Sequence, residues 1–214
     1  MVRTRGPKIA LEMHRRALLH LKRSDPVLAK VIARVGPCRF TLRDDVPYFQ
    51  YLTRAIVYQQ LSTKAATTIY GRFQQLCGGT VLPDHVVTLK DEQLRSCGFS
   101  RQKARYVKDL AGKVVSGELV LEGLEQHPDE HIIATLTQVK GIGRWSVQMF
   151  LMFRLGRPDV LPALDLGIQN AVQRAYRLRK RPTPKRVEEI GKRWSPHATI
   201  ASWYLWRSLD GPAK

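Results

Sequence analysis

The chain has 214 residues, 43% of them hydrophobic and 8% aromatic, which excludes a disordered chain and suffices for one sizeable domain or two small lobes. Its 36 Lys and Arg residues against 18 Asp and Glu residues leave a formal net charge of +18, which favours a polyanionic partner and predicts salt-sensitive binding. No apolar run approaches the roughly 20 residues of a membrane span, so a membrane explains the charge poorly.

Cysteine usage and the N-terminus limit the cellular setting. Cys38, Cys77 and Cys97 are few and widely spaced, which favours free thiols in a reducing compartment over a disulfide framework. They also lack the close four-cysteine spacing that an iron–sulfur cluster requires. Residues 1–8 are basic without an apolar core, so they form no secretory signal; an Arg-rich transit peptide is the alternative.

Helical signals dominate the chain, and strand-like alternation is nearly absent, so the sequence predicts an all-α fold. Asp25 before Pro26 and Thr183 before Pro184 are typical of helix starts, because a cap residue precedes a proline in the first turn. In chain order, the predicted helices lie at 8–23, 26–35, 47–60, 62–76, 84–97, 101–116, 129–138, 144–155, 166–176, from 184 and from 196.

Residues 136–147 predict a hairpin between two helices. Gly141 and Gly143 enclose one apolar residue, and glycine adopts positive φ freely, so the turn can be tight. The next helix begins at about Arg144, and the N–H groups near its start, with the helix dipole, form a phosphate site. The N–H groups of Gly141 and Gly143 are the predicted donors, with Lys140 and Arg144 adding charge. Taken alone, the two glycines are more typical of a structural turn.

A single acidic residue, Asp165, follows the hairpin and is well placed to cap a helix that starts at Leu166. The helix N-terminus stabilises a negative charge there. A phosphate site followed by a lone carboxylate indicates an enzyme that acts on a nucleic acid. An isolated Asp before a helix is usually an ordinary cap, but its spacing from the hairpin favours the catalytic interpretation.

Four sequence blocks carry a family resemblance. They lie at 55–66, 98–104, 136–168 and 194–206. In this order they resemble the helix-hairpin-helix superfamily of DNA glycosylases, and within it the alkylation-repair branch, 3-methyladenine DNA glycosylase II. The resemblance implies a compact form without the N-terminal β domain of longer relatives. It also implies two helical lobes, 1–45 with 166–214 and 46–165, with the active site in the cleft between them.

The resemblance identifies Asp165 as the catalytic residue and bears on the type of reaction. Relatives that also cut the sugar–phosphate backbone carry a lysine two residues after the second hairpin glycine, where it attacks the sugar. This chain has Trp145 at that position, which predicts a glycosylase without lyase activity. The resemblance places Trp145 beside the base pocket; a plain core position is the alternative.

Aromatic residues are candidates for a base pocket, because alkylated purines are electron-poor and often cationic rings that suit stacking and cation–π contacts. The resemblance aligns Trp206 with a pocket tryptophan and makes Tyr58 a weaker candidate. Each of them, judged alone, is more typical of a core. Relatives commonly have glycine where Tyr58 stands, so this residue bears on the substrate range.

The segment Gln59 to Ser62 is the candidate for reaching into DNA. A base must be flipped out of the duplex before its bond is cut, and a side chain fills the gap. The resemblance gives this intercalating role to Gln60, with Gln59 beside it and Ser62 as a minor-groove contact. A polar turn or helix surface is the alternative for both glutamines.

The resemblance also implies a Na⁺ or K⁺ ion on the backbone carbonyls of Thr137, Val139 and Gly141. No cofactor is required, no iron–sulfur cluster is expected, and the histidines show no metal-ligand pattern. The expected partner is double-stranded DNA with alkylated bases, bound by a monomer away from membranes. The expected location is the cytoplasm or nucleoid of a bacterium, or the nucleus of a eukaryote. The basic run 177–186 is either a DNA-steering surface or a solvated loop.

The predicted function is base-excision repair, in which the N-glycosidic bond of alkylated purines such as 3-methyladenine and 7-methylguanine is hydrolysed and an abasic site is left. A non-catalytic helix-hairpin-helix DNA-binding protein is the first alternative, but it leaves Asp165 unexplained. A glycosylase for mismatched or oxidised bases is the second. A structural scaffold would leave the charge of +18 unexplained.

Overall fold

The computed structural model describes residues 7–42 and 46–210, with side chains from His14 onward. Most of the basic segment 1–8 lies outside the described residues. The rest is helical, no strand is found in this part of the chain, and the prediction of an all-α fold is confirmed. The helices are α1 (Pro7–Ser24), α2 (Pro26–Val35), α3 (Tyr48–Tyr58), α4 (Thr63–Leu76), α5 (Pro83–Thr88), α6 (Asp91–Ser96), α7 (Arg101–Val115), α8 (Asp129–Leu136), α9 (Arg144–Phe153), α10 (Leu166–Ala175), α11 (Pro184–Gly191) and α12 (Ala198–Arg207).

Within the described residues, two 3₁₀ segments, Leu124–Gln126 and Lys192–Trp194, complete the regular structure. The stretch 84–97, predicted as one helix, forms two, because the chain is extended at Leu89 and Lys90 before α6 begins. The last helix begins at Ala198 rather than at Pro196. None of the described helices has the length and apolar character that crossing a membrane requires.

The chain divides into two compact units. The first joins residues 1–42 to 151–214, and the second contains residues 43–150. The predicted lobes had the same order, but the segment 151–165, which was assigned to the second lobe, belongs to the first unit. Asp165 therefore shares a unit with the helix that it precedes and with the C-terminal helix α12.

A buried carboxylate organises the first unit. Asp25 is inaccessible to solvent, and its Oδ1 accepts hydrogen bonds from the N–H groups of Val27 and Leu28 at 3.0 and 3.1 Å, which caps α2. Its Oδ2 accepts the Trp194 Nε1–H at 2.9 Å and the hydroxyl of Tyr176. Because a buried charge is stable only when it is well bonded, these contacts fix α2 against the segments that follow α10 and α11.

The second unit is built around α7, which packs against α3, α5 and α6. Val107 and Leu110 of α7 are fully buried, as are Ile56 of α3 and Phe73 of α4. The ring of Phe73 lies 5.1 Å from that of Phe99, at the turn before α7. Helix α7 also contacts the turn between α3 and α4 through Lys103, and the hairpin between α8 and α9 through Asp109.

Candidate active site

Asp165 lies at the N-terminus of α10, as the sequence predicted, and its Oδ1 accepts the backbone N–H of Ile168 at 2.8 Å. The same oxygen accepts the indole Nε1–H of Trp206 at 2.8 Å. Two N–H donors and the positive end of the helix dipole thus converge on one carboxylate. The group is held in one orientation, which is what a carboxylate that stabilises a cationic transition state requires.

The indole ring of Trp206 is itself fixed from behind. It stacks on Phe153 with centroids 6.1 Å apart, and Phe153 stacks on Phe40 at 5.4 Å. On the other side, a side chain at Gly167 would come within 2.9 Å of Asp165 Oδ1 and 3.1 Å of Trp206 Cδ1. The contact between Asp165 and Trp206 therefore depends on the absence of a side chain at Gly167.

The predicted hairpin is present between α8 and α9, and its two glycines differ. Gly141 has φ +82°, and a methyl group on it would overlap the ring of Tyr106. Gly143 has no such constraint, since nothing lies within 4 Å of the position that a Cβ would take. The carbonyl of Gly143 accepts the N–H of Val147 at 3.1 Å and starts the helical hydrogen bonding of α9. Gly141 is thus required by the turn, and Gly143 is not.

The two cations that flank the hairpin have carboxylate partners. Asp109 of α7 accepts the backbone N–H of Lys140 at 2.9 Å, and its other oxygen lies 3.4 Å from Lys140 Nζ. Arg144 makes a two-fold contact with Glu130, with N–O distances of 3.0 and 2.5 Å. These bonds lower the pKa of Glu130. The predicted phosphate site is therefore positively charged but partly neutralised by its own surroundings.

The turn between α3 and α4 contains the three residues predicted to reach into DNA. Gln60 has φ +55°, in the left-handed region, and Leu61 beside it is 39% exposed. Ser62 caps α4 through the N–H of Ala65 at 3.3 Å. The side chain of Gln59 donates its Nε2–H to the carbonyl of Gly141 at 2.8 Å. The structure thus joins Gln59 to the hairpin, while Gln60 and Ser62 follow it on the same turn.

Tyr58 closes α3, and its ring and hydroxyl already have partners. The guanidinium of Arg54 lies 4.3 Å from the ring centroid, and Arg54 also donates to the Tyr58 hydroxyl at 3.1 Å. That hydroxyl shares a further hydrogen bond of 2.9 Å with Thr67. A cation on one face of the ring repels a second cation there, so a cationic base would need the other face.

Trp145 is 43% exposed in the first turn of α9, so the plain core position that was its alternative does not describe it. That Trp145 shares a base pocket with Trp206 and Tyr58 stays a prediction. Trp206 belongs to the first unit, whereas Trp145 and Tyr58 belong to the second.

The carbonyls predicted to hold a monovalent cation are already hydrogen-bond acceptors in two cases. Val139 accepts the N–H of Ile142 at 3.1 Å, and Gly141 accepts Gln59. Each carbonyl has a second lone pair, so the arrangement is compatible with an ion that also uses Thr137. The ion stays a prediction. Within the described ranges, no three His, Cys, Asp or Glu side chains are grouped as a metal site requires.

Three positions that contact the candidate site residues were not predicted from the sequence. The sequence could have indicated Gly167, because glycine is unfavourable within a helix and is used there mainly where another group approaches the backbone closely. Lys103 belongs to the sequence block 98–104, and its amine lies under the turn between α3 and α4. Asp109 has no local signal, because its partner Lys140 is 31 residues away in the chain.

These features define a class of protein: an all-helical chain with a helix-hairpin-helix element and a capped carboxylate on the helix that follows. The family model described as HhH-GPD superfamily base excision DNA repair protein matches residues 53–197. The chain belongs to this family. The match begins in α3 and ends before α12, so it includes the α3–α4 turn, the hairpin and Asp165.

Similar proteins have consistent names. Over 198 residues the chain is 37% identical to DNA-3-methyladenine glycosylase 1 of Schizosaccharomyces pombe, covering 90% of this chain and 86% of the relative. A solved structure of the S. pombe 3-methyladenine DNA glycosylase Mag1 in complex with abasic DNA has a TM-score of 0.77 at 38% identity, covering 89% of this chain and 95% of that one. A DNA-3-methyladenine glycosidase from Bacillus halodurans has a TM-score of 0.80 at 37% identity, covering 90% and 88%.

Proposed function

We propose that this protein is a monofunctional DNA glycosylase of base-excision repair, which hydrolyses the N-glycosidic bond of alkylated purines in duplex DNA and leaves an abasic site. The observation that carries the proposal is the carboxylate of Asp165, fixed by the N–H groups of Ile168 and Trp206 at the start of α10. The names of the relatives support the substrate class, and the abasic-DNA complex of one of them supports DNA as the partner.

The chemistry follows from the charge that develops on the sugar. When the bond to the base breaks, the deoxyribose becomes oxocarbenium-like, and a fixed carboxylate stabilises it without reorganising. A base that carries an alkyl group on a ring nitrogen is often cationic and leaves easily, so little acid catalysis is needed. Water then adds to the sugar. In this scheme Asp165 stabilises the cation and helps to position the water molecule.

The proposal includes the absence of lyase activity. It is supported by Trp145, which occupies the position where relatives with lyase activity have a nucleophilic lysine. An indole forms no Schiff base with the sugar. We expect product strands to stay intact until alkali treatment and borohydride to trap no covalent enzyme–DNA complex. A trapped complex would show that another amine attacks the sugar. We also propose that the protein acts as a monomer.

The first experiment measures release of 3-methyladenine and 7-methylguanine from methylated duplex DNA by the wild type and by Asp165→Asn. Asparagine caps helices about as well as aspartate, so folding and DNA binding should be retained. Loss of the charge should slow release by about 100-fold or more. Equal release by both proteins would refute the role of Asp165. Wild-type binding without release would identify a non-catalytic DNA-binding protein instead.

A further inference from the structure

A lysine amine lies against the end of α3. Lys103 of α7 donates from Nζ to the carbonyl of Val57 at 2.7 Å and to the carbonyl of Gln59 at 2.5 Å. The last carbonyls of a helix have no partner within the helix and carry the negative end of its dipole, so a cation suits this place. The side chain of Lys103 is half-buried, and this burial lowers the pKa of its amine.

The turn between α3 and α4 has a second contact that holds it, in addition to Lys103. Gln59 donates its side-chain N–H to the carbonyl of Gly141, 82 residues further along the chain. The backbone of Gln59 is held by Lys103 and its side chain by the hairpin, so neither is left to move independently. The next residue, Gln60, has φ +55°, a conformation that residues other than glycine adopt only when their surroundings hold them there.

We propose that Lys103 and Gln59 are positioning residues. They attach the Gln59–Ser62 turn to α7 and to the hairpin, and they keep Gln60 in its left-handed conformation before DNA is bound. The inference rests on the proposed function and on the sequence-based predictions that Gln60 enters the duplex and that the hairpin binds a phosphate. A turn fixed in advance loses less conformational freedom on binding, so the gain appears in affinity for DNA whose base is out of the stack. Gln59 acts through the hairpin and not as a DNA contact.

The test compares two duplexes, one undamaged and one with a stable tetrahydrofuran abasic-site analogue, for Lys103→Met, Lys103→Arg and Gln59→Met. Methionine keeps most of the side-chain volume and removes the donors. We expect Lys103→Met and Gln59→Met to bind the undamaged duplex within about twofold of the wild type and the abasic duplex about tenfold more weakly, which is about 1.4 kcal/mol. Lys103→Arg should restore most of the preference, since it keeps the charge and the donors.

Matched controls exclude a general effect of losing a lysine or a glutamine. Lys113→Met lies on the same helix and removes a pair with Glu118, and Gln75→Met lies on the exposed side of α4. Both should leave the preference for abasic DNA unchanged. The double variant Gln59→Met/Lys103→Met should lose less than the two single losses combined, because both residues support one turn. Thermal unfolding checks that each variant folds. If Lys103→Met does not fold, the test is made with Gln59→Met.

The outcomes separate this inference from the proposed function. Equal weakening on both duplexes, or no rescue by Lys103→Arg, would overturn the positioning role. If Gln60→Ala binds the abasic duplex as tightly as the wild type, Gln60 does not insert into DNA. The inference depends on that insertion and would be overturned. Failure of the wild type to release any base would instead refute the proposed activity. The comparison of the undamaged and abasic duplexes would still decide whether Lys103 and Gln59 position the turn for binding to abasic DNA.

Discussion

At the scale of single residues, the orientation of Asp165 depends on neighbours that are distant in sequence. The cap on Ile168 is local, three residues away, and it would form in any helix that starts at Leu166. The bond from Trp206 crosses 41 residues and exists only because Gly167 leaves room for the indole. The second donor orients the carboxylate beyond what the cap alone would do, which suits the catalytic role proposed for Asp165.

Replacing Trp206 with phenylalanine tests this residue pair. The ring is kept in part, but the N–H that reaches Asp165 is lost, and a hydrogen bond to a charged group contributes about 1.5–3 kcal/mol. We expect single-turnover base release to slow by about 10- to 100-fold. Trp203→Phe on the same helix, where the indole packs edge-on against Tyr204, is the control and should leave the rate unchanged. Equal rates for Trp206→Phe and the wild type would contradict the role of the indole.

At the scale of elements, the hairpin shows that one glycine of a motif carries the structural constraint. Gly141 combines a left-handed backbone with the ring of Tyr106 directly beneath it, whereas Gly143 has an ordinary backbone and open space. The hairpin is also anchored from outside, since Asp109 holds the N–H of Lys140 and Gln59 holds the carbonyl of Gly141. Its geometry is therefore fixed by α7 and by the α3–α4 turn together.

Alanine at each glycine separates the two roles. Gly141→Ala should lower the free energy of unfolding by about 2–4 kcal/mol, because the left-handed backbone costs about 1–2 kcal/mol and the ring of Tyr106 must move as well. Gly143→Ala should change it by less than about 1 kcal/mol. Urea unfolding measures both. Similar losses for the two variants would show that the hairpin needs both glycines.

The pair of Arg144 with Glu130 allows a second test of the hairpin. Both side chains are exposed, so Glu130→Gln should change stability by less than about 1 kcal/mol. Removing the counter-charge should tighten binding to undamaged duplex about two- to threefold at low salt. Glu118→Gln, which removes the same charge from the pair with Lys113, is the control. Weaker binding by Glu130→Gln would mean that the pair orients Arg144 for the phosphate.

At the scale of the whole molecule, two opposed demands are visible. A net charge of +18 suits a polyanionic partner, but it also adds self-repulsion to the folded state. Among the described buried polar residues, Asp25 is well bonded, whereas the hydroxyl oxygens of Thr53 and Ser202 have no hydrogen-bond partner. Burial lowers the pKa of His14 and of His197, and His20 beside His197 lowers the pKa of His197 further.

The pH dependence of stability follows from these two histidines. Their pKa values in the folded state lie below the ordinary 6.5, so the unfolded chain takes up more protons as pH falls below about 6.5, and stability is lost. Since both groups are partly exposed, the free energy of unfolding should fall by on the order of 1 kcal/mol between pH 7 and pH 5.5. Urea unfolding of His14→Asn/His197→Asn should show a flatter profile, with exposed His85→Asn as the control.

The features that sequence predicted are those that depend on neighbours in the chain. The start of α10 at Leu166, the cap by Asp165 and the hairpin glycines all follow from residues within a few positions. The break between α5 and α6 was missed, since no proline or glycine marks it. Asp109 was missed because a carboxylate on the surface of a predicted helix carries no sign of a partner 31 residues away.

By itself, the sequence determined the all-α class, the polyanionic partner, the hairpin and the one carboxylate that caps the following helix, because charge, helical periodicity and capping are local or additive properties. Only the tertiary structure decided that Trp206 donates to Asp165, that Gln59 donates to the hairpin, and that Lys103 holds the end of α3. These contacts join residues 41, 82 and 46 positions apart, and such pairings exist only when packed helices bring the side chains within hydrogen-bond distance.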